Sequence, residues 1–179
     1  MENIASPVAA KTSLEPEAPL ASRRDLLALF AALSLLALGL GGWLTSLGFG
    51  PWYDELKKPW FQPPGWVFTP AWTLIFSLLA VATWQVARRG DWAQRGSGTR
   101  LALWLYGVQL VLNVAWSLCF FTLHNPTWAL IDIFVLDAVV VAMVVAYGRV
   151  HRTAGWLLVP YAVWLGLATA INVWVVANN

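Results

Sequence analysis

Charge is what this chain has least of. Only 11% of its 179 residues are Asp, Glu, Lys or Arg, where soluble domains carry about 25%, and 59% are hydrophobic. That balance is a membrane composition. The net charge of +2 is small and scattered, which excludes nucleic acid as a partner. Cysteine occurs once, as Cys119 inside an apolar run. It makes no intrachain disulfide and reads as a small buried hydrophobe. The two histidines, His124 and His151, fall in loops expected on opposite sides of the membrane. No His/Cys metal cluster, Gly-rich phosphate loop or Ser-His-Asp set can be assembled. An ordinary hydrolase or redox enzyme is therefore not expected, and no residue is assigned a catalytic or metal-binding role.

Tryptophan, by contrast, is abundant, with thirteen copies. Indoles collect at membrane interfaces, which accounts for about half of them. Residues 1–25 are polar, include Pro7, Pro16 and Pro19, and read as a disordered tail. Five apolar segments follow, at about 26–47, 68–87, 101–123, 127–147 and 154–177. Each is near the ~20 residues needed to cross a hydrocarbon core. Backbone groups in lipid must be bonded internally, so each run predicts an α-helix. The expected fold is all-α: an integral-membrane bundle of five transmembrane helices in a single domain, 26–179.

Lys and Arg outside these spans set the orientation. Lys11, Arg23, Arg24, Arg88, Arg89, Arg95, Arg100, Arg149 and Arg152 fall on the N-terminal side, and only Lys57 and Lys58 on the other. In a bacterial inner membrane this bias puts the N-terminus in the cytoplasm. The stretch "SRRDLL" at Ser22–Leu27 resembles a twin-arginine export signal. However, the apolar run behind it is long and no A-x-A site follows, so it reads as an anchored first helix.

Polar residues inside the spans carry more information. Gln109 and Asn113 are spaced i, i+4 with Trp116 three further on, so all three share one face of the third helix. Tyr161, Trp164, Ala168 and Asn172 form a similar stripe on the fifth, and Trp72 and Phe76 on the second. Asp132 and Asp137, five residues apart, lie about 140° apart around the fourth helix. Each feature also has a plainer reading. Asn and Gln bond neighbouring helices, while Ala37-x-x-x-Gly41 and Gly166-x-x-x-Ala170 simply let helices approach. On that plainer reading Asp132 is solvated near a helix end and Trp128 is interfacial. Taken together, three aromatic-plus-polar stripes are the lining expected of a mostly apolar pocket with a few orienting hydrogen bonds.

Four motifs carry a resemblance. They are "WYDELKKPWFQPPGWVFTPAWTLIF" (Trp52–Phe76), "QLVLNVAWSLCFF" (Gln109–Phe121), "WALIDIFVLD" (Trp128–Asp137) and "LLVPYAVWLGLATAIN" (Leu157–Asn172). In order and spacing the chain resembles the translocator protein family, also called the peripheral benzodiazepine receptor or tryptophan-rich sensory protein family, over roughly residues 43–175. The resemblance implies a five-helix bundle, often a homodimer, with a pocket beneath the first loop that takes porphyrins, sterols and synthetic aromatic ligands. Carried over by position, the ligand-binding residues are Trp52, Trp60, Trp72, Phe76, Asn113, Trp116, Trp128, Asp132, Tyr161, Trp164 and Ala168. Gln109 and Asn172 join them from the stripes.

No cofactor is required on this reading. The implied ligand is a porphyrin, protoporphyrin IX or haem, held within the lipid membrane. Loop 48–67 becomes a lid, stiffened by prolines that lower the entropy lost on closing. Lys57 and Lys58 are candidates to attract a porphyrin's propionates, or else are interfacial anchors. Two departures from the family pattern matter. Phe76 stands where many relatives have Tyr. At the C-terminus, "AINVWVVANN" has Val173 at the Tyr position of the sterol pattern and no basic residue after it, which weakens sterol or lipid carriage. The alternatives to porphyrin binding or transport are light-dependent protoporphyrin breakdown and ligand-responsive stress regulation.

Overall fold

The computed structural model describes residues 20–89 and 98–179. Most of the tail expected at 1–25 lies outside them, as does Arg95. Among the described residues, five helical spans are long and apolar enough to cross a membrane. The first is α1 (Leu20–Leu47), and a short α2 (Pro51–Glu55) follows in the loop. α3 (Gly65–Ala87) is the second span; α4 (Gly98–Ser117) is the third and runs on into a π-helical turn, Leu118–Thr122. α5 (Pro126–Val150) is the fourth, and α6 (Arg152–Leu157) with α7 (Val159–Asn178) makes the fifth.

The spans run past the limits that hydropathy marked. α1 begins at Leu20 where the apolar run begins near Leu26, and α3 begins at Gly65 where Phe68 was expected. Hydropathy reports the lipid-buried length, whereas backbone hydrogen bonding continues into the interface until a breaker intervenes. Those breakers are visible. Pro64 caps α3 with an extended ψ of 145°. Pro126 opens α5 at its first turn, where a missing N–H costs nothing, and the Asn125 side chain accepts the backbone N–H of Trp128 at 3.1 Å. Pro160 cannot donate to the carbonyl of Trp156, and the fifth span is interrupted at Leu158. The π turn is marked by the five-residue bond from the Leu123 N–H to the Leu118 carbonyl at 2.9 Å, after which the Asn125 N–H reaches the Cys119 carbonyl, six residues back, also at 2.9 Å.

The spans form a ring. α1 packs on α3 and α4, α4 on α5, α5 on α6 and α7, and α6 on α3. At the α6 end the ring is tight and held by buried hydroxyls. Tyr106 donates to the carbonyl of Phe30 at 3.1 Å and shares a 3.0 Å bond with Ser34. Thr83 and Tyr147 meet at 2.9 Å. A Cβ on Gly155 would lie 2.8 Å from the Cα of Gly148, so α6 rests directly on the α5 backbone. The small-residue pattern at Gly166 marks no such crossing, because a Cβ there would meet nothing within 4 Å.

The loop end is built differently. Gly48 sits with its Cα against the Phe121 backbone, leaving no room for a side chain. Gly50 turns the chain with a φ of 151°, a value that other residues rarely adopt. α2 then lies across the π turn. Tyr53 packs on Phe49 and Phe121, with centroids 5.2 and 5.7 Å away, and Trp52 meets Phe120 edge-on at 6.0 Å. The loop is also tied to α7. The Lys57 N–H donates to the side-chain oxygen of Asn179 at 2.9 Å, and Phe61 packs against Trp174.

Candidate functional site

Beneath this loop lies a cavity of about 450 Å³. α1 contributes Leu38, Gly41, Gly42 and Thr45 to its wall. α3 contributes Gly65, Phe68, Thr69, Trp72 and Thr73, a run at helical spacing along its first turns. α4 and its π turn supply Asn113, Trp116, Ser117 and Phe121, α7 supplies Trp164 and Ala168, and Phe49 and Tyr53 come from the loop. Since α3 meets the fifth span chiefly through α6, its first turns stand off from α7 and leave this space between them.

The aromatic walls brace one another. The Trp72 ring lies edge-on to Trp164 at 6.3 Å and to Tyr161 at 6.1 Å, while Phe68 meets Trp164 at 5.5 Å. Trp116 stacks on Phe120 at 5.3 Å and 25°. Such contacts fix ring orientation and add about 0.5–1.5 kcal/mol each beyond burial. The result is a set of flat apolar faces with one amide, Asn113, among them.

The polar stripes of α4 and α7 meet across the bundle. Asn113 Nδ2 donates to the Tyr161 hydroxyl at 3.2 Å, and that hydroxyl donates to Gln109 Oε1 at 3.0 Å. One turn nearer the loop, Trp116 Nε1 donates to Asn172 Oδ1 at 3.1 Å, and Asn172 Nδ2 donates to the Pro126 carbonyl at 2.9 Å. Gln109, Tyr161 and Asn172 are all fully buried. Here the plainer reading of buried amides describes Gln109, which joins helices and does not line the cavity; the Tyr161 hydroxyl is placed in the same way. Asn172 does both, since it also walls a smaller chamber beside the main one.

The expected site residues therefore divide. Trp72, Asn113, Trp116, Trp164 and Ala168 come together on the cavity wall. Phe76 is buried in the core beside Trp72 and is not on the cavity wall. Trp52 points at the π turn and stacks on His124 with centroids 4.2 Å apart. Trp60 is 89% exposed and Trp128 62% exposed. Neither reaches the cavity; both join Trp43, Trp66, Trp104 and Trp156 on the outer surface, as interfacial indoles do. Asp132 is half-buried with Oδ2 accepting from no donor among the described residues, and it is off both chamber walls. Asp137 accepts from Thr169 at 2.7 Å.

Several wall residues went unread in the sequence, among them the neighbours of Trp72 on α3, the face of α1, and Phe49, Tyr53, Ser117 and Phe121. The stripe Gly65–Phe68–Thr69–Trp72–Thr73 was legible by its spacing. The α1 face at Gly41, Gly42 and Thr45 was not, because small residues signal close packing as readily as open space.

A sequence profile of the TspO/MBR family matches residues 28–177. The chain is 37% identical over 150 residues to the tryptophan-rich protein TspO of Archaeoglobus fulgidus, covering 83% of this chain and 94% of the relative. It is 39% identical over 120 residues to the tryptophan-rich sensory protein of Cereibacter sphaeroides, covering 67% and 72%. To the human translocator protein it is 36% identical over 130 residues, covering 71% and 74%. An integral, multi-pass five-helix bundle with this match along its length belongs to the TspO/MBR family.

Proposed function

We propose that this protein binds porphyrin-type tetrapyrroles in the cavity beneath the 48–67 loop and hands them across or along the membrane. The observation that carries this reading is the cavity itself. Its volume of about 450 Å³ falls within the roughly 300–1,000 Å³ of small-molecule sites. Trp72, Trp116 and Trp164 offer ring faces for a flat macrocycle, and Asn113 offers one orienting amide. The loop acts as its roof. The Arg-rich end of the bundle carries Arg24, Arg88, Arg89, Arg100, Arg149 and Arg152, which on the positive-inside rule points the cavity end away from the cytoplasm of a bacterial inner membrane.

The test is titration of protoporphyrin IX into the detergent-solubilised protein, with tryptophan fluorescence as the signal. Saturable quenching that weakens when Trp72 or Trp164 is replaced by Leu is the expected result. Quenching that does not saturate, or that ignores both substitutions, would end the proposal. The three indoles that border one cavity, from α3, α4 and α7, also favour a second reading, photochemical breakdown of the bound porphyrin. Illumination of the complex would then yield a new absorbing product that free porphyrin, lit equally, does not form.

A further inference from the structure

The two adjacent lysines of the loop look equivalent in sequence and are not equivalent in the fold. Lys57 is exposed, and its backbone is occupied with Asn179. Lys58 is half-buried, with Nζ 4.1 Å from the centroid of the Tyr53 ring. It lines a second, smaller chamber of about 50 Å³. Gln62 lines that chamber too and donates to the Tyr53 hydroxyl at 3.2 Å, while Asn172 closes it from α7. The small chamber adjoins the large one, with Tyr53, Phe68, Trp116, Phe121 and Ala168 common to both walls.

We infer that this small chamber receives the anionic arm of an amphipathic ligand whose flat body fills the larger cavity, with Lys58 as the counter-charge. The inference rests on the binding reading proposed above and narrows it to ligands bearing a carboxylate on a short arm. The geometry supports it in three ways. The chamber is far too small for a ring system, yet exceeds the ~10–15 Å³ that a single water needs. Its wall is mostly apolar, and its polar residues are the Lys58 ammonium, the Gln62 and Asn172 amides and the Tyr53 phenol, all of types able to donate to an oxyanion. Among the described residues, Lys58 has the Tyr53 face and no carboxylate as its partner. An ammonium held half out of water beside an apolar cavity attracts an anion more strongly than one in bulk solvent. The ring that holds Lys58 in place also walls the large cavity, so a ligand lying against Tyr53 brings its arm to the ammonium.

The experiment compares protoporphyrin IX with its dimethyl ester, which keeps the macrocycle and lacks the charges. Both are titrated in a non-ionic detergent into the parent protein, Lys58→Met, Lys58→Arg and Lys57→Met. The ratio of ratios cancels the ester's greater partition into detergent. Lys58→Met is expected to weaken the free acid by about tenfold while leaving the ester within about twofold. Lys58→Arg and Lys57→Met are expected to keep the parent's preference. Ester binding by the Met variant also shows that it is folded. If Lys58→Met keeps the full preference for the acid, or Lys57→Met loses it equally, the anion site is overturned while the cavity reading survives. If neither porphyrin binds the parent saturably, both fall together.

Discussion

Trp116 and Asn172 are joined across the bundle, the indole N–H donating to the side-chain oxygen at 3.1 Å. The same amide donates onward to the Pro126 carbonyl at 2.9 Å, so one fully buried side chain links α4, α7 and the first turn of α5. It also fixes the plane of a cavity-wall indole. Replacing Asn172 with Leu removes both bonds and leaves the Trp116 indole N–H without its partner. Interhelical bonds of this kind in membrane proteins average about 0.6 kcal/mol. Two of them together with the orphaned indole N–H predict a loss of about 1–2 kcal/mol. Thermal unfolding in detergent measures it, and an unchanged midpoint would show that the bridge is not stabilising.

Tyr161 stands one layer behind the wall. Its hydroxyl takes a hydrogen bond from Asn113 and gives one to Gln109, yet it does not border the cavity. Tyr161→Phe therefore separates stability from binding. The expected result is a loss of about 1 kcal/mol in stability, with porphyrin affinity held within about threefold. A large loss of affinity at unchanged stability would instead mean that the hydroxyl reaches the ligand.

Glycine spacing gives a cleaner contrast. Gly155 lies against the Gly148 backbone, where a Cβ would come within 2.8 Å of Cα and 2.9 Å of N. Backbone cannot yield as a side chain can, so Gly155→Ala must part α6 from α5. The cost of such overpacking is about 1–3 kcal/mol. Gly166→Ala adds its methyl where nothing lies within 4 Å and gains helix propensity, so stability should hold or rise slightly. Melting curves of the two variants side by side decide it. Equal effects would contradict the packing described here.

These contrasts show where the sequence was legible. The spans could be read because lipid burial demands about twenty apolar residues in a row. The stripes could be read because 3.6-residue periodicity brings Gln109 beside Asn113 and Trp164 beside Ala168 whatever the tertiary fold. What periodicity cannot report is depth. It placed Gln109, Asn113 and Trp116 on one face without showing that Gln109 joins helices while the other two line a void. It is silent in loops, and there Trp60 proved to face outward and Lys58 to differ from Lys57. The α1 contribution stayed hidden for a related reason, since Gly41 meets Ser117 whereas Gly42, one residue on, meets open space.

The outward and inward tryptophans make the decisive comparison for the site. Trp60 and Trp128 are exposed, while Trp72 and Trp164 meet edge-on and both border the cavity. All four were candidates on sequence grounds. A stacked ring contributes about 0.5–1.5 kcal/mol beyond the area it buries. Trp72→Leu or Trp164→Leu should therefore weaken protoporphyrin binding by about tenfold. Trp60→Leu and Trp128→Leu should leave it within about twofold, because neither ring touches the cavity. Absorbance titration of the porphyrin is the suitable readout, since it does not depend on which indole has been removed. If the exposed pair mattered as much as the inner pair, the ligand would sit on the outer surface of the bundle, and the chamber beneath the loop would not be its site.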